Sequence, residues 1–180
     1  MIEIEELQKN SNNKDFFCNA VRESGLYLEW ACSELKDDKE IVMEAVKQNP
    51  AALEFASNRL KGDKEVVKKS LDNVGWVICY ASEELKNDKE VMLKAVKNDG
   101  QALYYASKDL RDDKEVVLEA VKNKGIILKY ASLDMRTDID IAIAALQENK
   151  KTMDHVKSYL NPEILNNEKI QNIINPDENN

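Results

Sequence analysis

The feature that most constrains this chain is a repeat that keeps its register. Asp38-Lys-Glu-Ile-Val recurs as Asp63-Lys-Glu-Val-Val, Asp88-Lys-Glu-Val-Met and Asp113-Lys-Glu-Val-Val, each copy starting 25 residues after the last. One step back stands Asn13-Lys14-Asp15-Phe16-Phe17, and one step forward Asp138-Ile139-Asp140-Ile141-Ala142. Six tandem copies therefore run from about 13 to 162 without insertion. A fixed period of this length is the signature of folds that stack one supersecondary unit on the next.

Columns within the copy predict two helices. In the first, Val116, Val117, Ala120 and Val121 fall at i, i+1, i+4 and i+5, one face of an α-helix. In the second, Leu128, Ala131, Ser132 and Met135 fall at i, i+3, i+4 and i+7. Gly25, Gly75, Gly100 and Gly125 stand between the two, where a left-handed residue is expected to close the first helix. Pro50 fills the same column and suits the first turn of the next helix. Asp37 with Glu40, Asn87 with Glu90, and Asp112 with Glu115 have capping-box spacing. Lys36, Lys61, Lys86, Arg111 and Arg136 oppose the dipole at the end of the second helix.

Helices of about 10 residues are not stable alone in water. Each pair must bury its apolar face against the preceding and following pairs. The expectation is an all-α fold: an α-solenoid, a right-handed α-α superhelix of six helix-pair repeats over 13–162. A polar lead-in occupies 1–12, a capping helix 163–175, and a disordered tail 176–180.

Asp113-Lys-Glu-Val-Val-Leu-Glu-Ala-Val, followed by Gly125, Leu128, Tyr130-Ala131-Ser132 and Arg136, resembles a bacterial repeat family known as domain of unknown function 4116. The resemblance covers about 13–162 and implies the fold unit. It implies no activity and brings no catalytic residue.

The remaining chemistry excludes more than it indicates. A net charge of −8 argues against direct nucleic-acid binding and against anionic membrane, both of which call for clustered Lys and Arg. Cys18, Cys32 and Cys79 are odd in number and unpaired in spacing, which argues against a disulfide framework or a zinc site and for a reducing cytoplasm. The acidic start is unlike a signal peptide, and no apolar run approaches the roughly 20 residues that span a bilayer. Export by a signal-independent route stays open. His155, the sole histidine, takes the aromatic place in the last copy and is expected to pack there. Cys79 is expected to be a buried, inert thiol. The Asp-Lys-Glu clusters recur in every layer, as caps do and active sites do not. No phosphate-binding loop is present, and no cofactor, metal or enzymatic activity is expected.

The variable columns carry the functional expectation. Leu26, Trp76 and Ile126 each precede an aromatic by four residues, so Leu26–Trp30, Trp76–Tyr80 and Ile126–Tyr130 share a helix face. The plainer reading is core between layers. The other is a partner groove made of Leu26, Trp30, Trp76, Tyr80, Tyr104, Tyr105, Ile126 and Tyr130, since Trp and Tyr are frequent hot spots. If the ridge is core, the role passes to Glu54, Tyr104 and Lys129. The expected function is binding to another protein. The alternative is an acidic inhibitor that fills a nucleic-acid channel by charge mimicry, which a clustered acidic face would distinguish.

Overall fold

The computed structural model describes residues 2–176. Among them every regular element is helical, and no residue has a positive φ. The chain falls into two compact units, residues 1–85 and 86–180.

The first helix of each copy lies where its apolar face places it. In the first unit these are Lys14–Glu23, Lys39–Gln48 and Lys64–Ser70. In the second they are Lys89–Asn98, Lys114–Asn123 and Ile139–Glu148. Val116, Val117, Ala120 and Val121 are fully buried. The cap is one residue later than the spacing predicts. Asp38 accepts from the amides of Glu40 and Ile41 at 3.0 and 3.3 Å, and Asp63, Asp113 and Asp138 do the same on their own helices. Such a cap satisfies N–H groups that have no partner within the helix.

The predicted second helix is two pieces. A 3-10 helix comes first: Gly25–Trp30, Pro50–Phe55 and Trp76–Tyr80 in the first unit, Gly100–Tyr105 and Gly125–Tyr130 in the second. An extended step follows, with Ala131 at φ −67° and ψ 159°. A short turn then closes the copy, as in Ser33–Lys36, Asn58–Lys61 and Met135–Thr137. The break has a hydrogen-bonding cause. The Ser132 N–H donates to the Arg111 carbonyl of the preceding copy at 2.9 Å, so it cannot serve an i→i−4 bond. Ser57 to Lys36 and Ser82 to Lys61 repeat this at 2.9 Å, and Ser107 to Lys86 at 3.4 Å. Positions that read as one helix are therefore a rung between layers.

The glycine column is also explained differently. None of these glycines is left-handed. They are needed for close approach: a Cβ on Gly25 would lie 2.2 Å from the Ala45 carbonyl oxygen, and one on Gly125 2.2 Å from that of Ala145. The glycine N–H points into the same contact. Gly25 donates to Gln48 Oε1 at 2.5 Å, Gly100 to Asn123 Oδ1 at 2.8 Å and Gly125 to Glu148 Oε2 at 2.9 Å.

The C-terminal end departs from expectation, whereas the polar lead-in acts as a partial cap. The lead-in contains a helix, Ile4–Lys9, that buries Leu7 completely, because that leucine covers the first copy. The predicted single helix over 163–175 is two, Pro162–Leu165 and Glu168–Ile174, the second burying Ile170. Asn161 and Asn167 each cap one of them and so divide the segment. Residues 177–180 of the predicted tail lie outside the described residues. His155 is exposed on Met153–Tyr159 rather than packed, because Val156 takes the buried place on that helix.

Candidate functional site

The residues that recur are occupied in joining one copy to the next. The Ser57 hydroxyl donates to Asp37, Ser132 to Asp112, and Ser107 to Asn87 at 2.6 Å, so the predicted capping-box residues bond the following copy. Lys14 reaches Asp38 at 2.7 Å; Lys39 reaches Asp63, Lys89 reaches Asp113, and Lys114 reaches Asp138, each at 2.8 Å. The Lys14 hydrogen bond holds Asp38 below its ordinary pKa. For Asp63, Asp113 and Asp138 burial pushes upward, but the lysine and two amides outweigh it, and all three are lowered. These carboxylates stay ionised and engaged, which suits structure and not proton transfer.

Subtracting this framework leaves the outer side of the 3-10 helices. In the first unit Leu26 is 40% and Trp76 43% exposed, while Trp30, Phe55 and Tyr80 are half-buried. Trp76 meets Tyr80 edge to face, 5.9 Å between centroids. The ridge is thus surface, and the core reading of it is overturned. The inward positions are Leu28, Ala52, Leu53, Val77 and Ile78, all with no exposed area. The leucine or isoleucine two places before each aromatic is inward, as its column predicts, and the residue one place before the aromatic faces outward or is half-buried.

In the second unit Tyr104 is 55% exposed, Tyr105 is exposed, and Ile126 and Tyr130 are half-buried. Tyr104 lies edge to face with both Tyr105 and Tyr130, 4.9 Å from each. Lys129 Nζ sits 4.7 Å over the Tyr130 ring. Sequence reasoning missed Leu133, 76% exposed, on the rim of a surface pocket of about 410 Å³ lined also by Lys108, Arg111 and Tyr130. The signal was legible: the same column holds Ser33, Asn58, Glu83 and Lys108, so an apolar residue there is out of character.

The charge on the two faces differs. Segments 25–36, 50–61 and 75–86 hold five glutamates against four cations. Segments 100–111, 125–136 and 150–161 hold seven lysines and arginines against three aspartates. Cys79 is half-buried, not buried as expected, because it lies in the outward column of its 3-10 helix. Among the described residues no group of three His, Cys, Asp or Glu is placed to hold a metal, and no helix is long and apolar enough to cross a membrane.

Fold and wiring together define an all-α tandem helical repeat. Sequence comparison assigns it: the family described as "Domain of unknown function (DUF4116)" matches residues 13–61, 63–111 and 113–169, and the chain belongs to that family. The first two matches each span two of the 25-residue copies. Searches of curated proteins and of solved structures returned no match.

Proposed function

We propose that this chain is a non-enzymatic protein-interaction module whose contact surface is the outer side of its 3-10 helices. The observation that carries this reading is the exposure of Leu26, Trp76, Tyr104 and Tyr105 along columns whose neighbours are fixed in the framework. Large aromatics on a rigid support present contact area at low entropic cost, and a partner that covers them gains most of its affinity there. No disulfide joins Cys18, Cys32 and Cys79, which suits a reducing compartment such as the cytoplasm. Charge mimicry of nucleic acid is the weaker reading, because acids such as Asp38 and Asp113 are bonded to lysines and the outer segments of the second unit carry a surplus of cations.

The test is site-specific photo-crosslinking in the native host. A benzophenone side chain at position 76 or 104 should give a discrete adduct with another protein. The same group at Asn19, exposed on the first helix of copy one, should not. Absence of adducts from both 76 and 104 would overturn the reading.

A further inference from the structure

Resting on that reading, we propose that the outer face of the first unit takes an extended segment of another protein bearing arginine or lysine at about every third residue. Glu29 and Glu54 occupy one column on adjacent 3-10 helices, are both exposed, and each immediately precedes an aromatic of the outward row, Trp30 and Phe55. Glu34 and Glu84 are exposed on the short turns that follow. Tyr80 continues the row on the third 3-10 helix, where Cys79 stands in the glutamate column and Trp76 meets the Tyr80 ring edge to face. A cation is drawn to a ring face, and Trp is the strongest such ring. A guanidinium can stack on the ring while its N–H groups reach a neighbouring carboxylate. Of the cations on this face, Lys36, Arg59 and Lys61, Arg59 donates to both carboxylate oxygens of Asp37 at 3.0 Å and to the Asp37 carbonyl at 2.6 Å.

The second unit shows the same position filled from within. In copy five the column carries Lys129, whose ammonium lies over Tyr130, while Tyr104 and Asp154 hold it in the other two copies. Where the column carries Glu29 and Glu54, the residue beside the ring is a carboxylate, and the cation has to come from outside. Packed layers of helices lie about 8–10 Å apart. An extended chain covers that distance in about three residues, which sets the spacing of the cations.

The probe is a fluorescein-labelled peptide of four Arg-Gly-Ser triplets, titrated into the full chain at physiological salt and read by anisotropy. Binding should weaken about tenfold in the double variant Glu29→Gln/Glu54→Gln and in Trp76→Ala. Glu5→Gln/Glu6→Gln makes the same change in net charge on the helix Ile4–Lys9 and should stay within about twofold. All substituted side chains are exposed, and an unchanged melting temperature verifies folding of the glutamine variants. Equal losses in the two glutamine pairs, or no binding of the peptide, would overturn the proposal. The crosslinking experiment separates it from the reading it rests on. A partner captured at position 76 through a segment without arginine or lysine sinks the cationic occupant and leaves the interaction module standing. No adduct at 76 or 104 sinks both.

Discussion

The outer faces of the two units are built on one backbone pattern and differ in charge, the first nearly balanced and the second rich in cations. In each, a 3-10 helix runs from the glycine column to an aromatic, and a rung to the preceding copy follows two residues later. Yet the position before the aromatic column is Glu29, Glu54 and Cys79 in one unit and Tyr104, Lys129 and Asp154 in the other. The difference teaches that framework and surface are chemically independent in this repeat. Inter-copy bonds use the glycine, serine, aspartate and lysine columns. The outward column is left free to change its chemistry without touching the fold.

The sharpest way to break that comparison is to show that the frameworks differ. Gly25→Ala and Gly125→Ala should each destabilise the chain by about 3 kcal/mol or more, because a backbone carbonyl, not a movable side-chain end, stands in the way. Gly62→Ala, whose nearest neighbour would be 3.4 Å away, should change stability by less than about 0.5 kcal/mol. Urea denaturation measures all three. A mild Gly125→Ala beside a severe Gly25→Ala would mean that the second unit is less tightly layered than the first.

Next in size are the caps, which both units share. Asp38→Ala and Asp138→Ala should each cost about 1 kcal/mol at neutral pH. Their carboxylates have pKa values below the unfolded one: the hydrogen bond of Lys14 lowers Asp38, and at Asp138 burial pushes upward but Lys114 and two backbone amides together outweigh it. Stability from a depressed carboxylate is present above the unfolded pKa of about 3.9 and is lost as pH falls through the folded value. The wild-type chain should therefore melt at a constant temperature from about pH 5 to pH 8 and lose stability below about pH 4. The gap between wild type and each variant should close over the same acidic range. A gap that persists at pH 2 would show that the aspartates act by packing and not by charge.

Smaller still is the effect on stability of removing the outward aromatics. Trp76→Ala and Tyr104→Ala should each cost less than about 1.5 kcal/mol, whereas Phe17→Ala, at a site with no exposed area, should cost about 3–5 kcal/mol. In a Trp30→Phe background the Trp76 emission should be red-shifted and readily quenched by acrylamide. A blue, protected emission would return this ridge to the core.

The period, the first helix and its buried face were legible in sequence because Val116, Val117, Ala120 and Val121 obey a local rule of helix geometry. The second half of the copy was not, because the apolar spacing of Leu128 and Met135 suits an α-helix as well as a 3-10 helix followed by a turn. What decides between them is the Ser132 N–H, whose partner is the Arg111 carbonyl 21 residues earlier. The glycine column was found for the wrong reason: its recurrence is visible in sequence, but a crossing of backbones between copies is not. The aromatic ridge follows columns that are visible in sequence. Its outward direction is not, because the same columns suit a core between layers.

The finest comparison is between copy three and the second unit, whose copies all begin with a helix of ten residues. Copy three begins with one of seven, ending at Ser70. Position 70 takes the place that Ala45, Ala120 and Ala145 hold against a glycine in the preceding copy, and the preceding copy here offers Pro50. Proline brings a ring where Gly25, Gly75, Gly100 and Gly125 have no Cβ. It also has no N–H to give position 73, where Gln48, Asn123 and Glu148 each accept one from glycine. Both losses fall on the last turn of the helix, which is the turn that is missing. Pro50→Gly should therefore extend the helix through Asn73, seen as slower amide exchange at residues 71–74. The melting temperature should move little, since glycine raises the entropy of the unfolded chain by an amount comparable to the bond regained. Unchanged exchange would assign the break to Ser70 itself, whose hydroxyl donates to the Val67 carbonyl at 2.8 Å and is of the kind that bends a helix. In that case Ser70→Ala is the substitution that lengthens the helix, and the layer contact at Pro50 is a consequence of the break and not its cause.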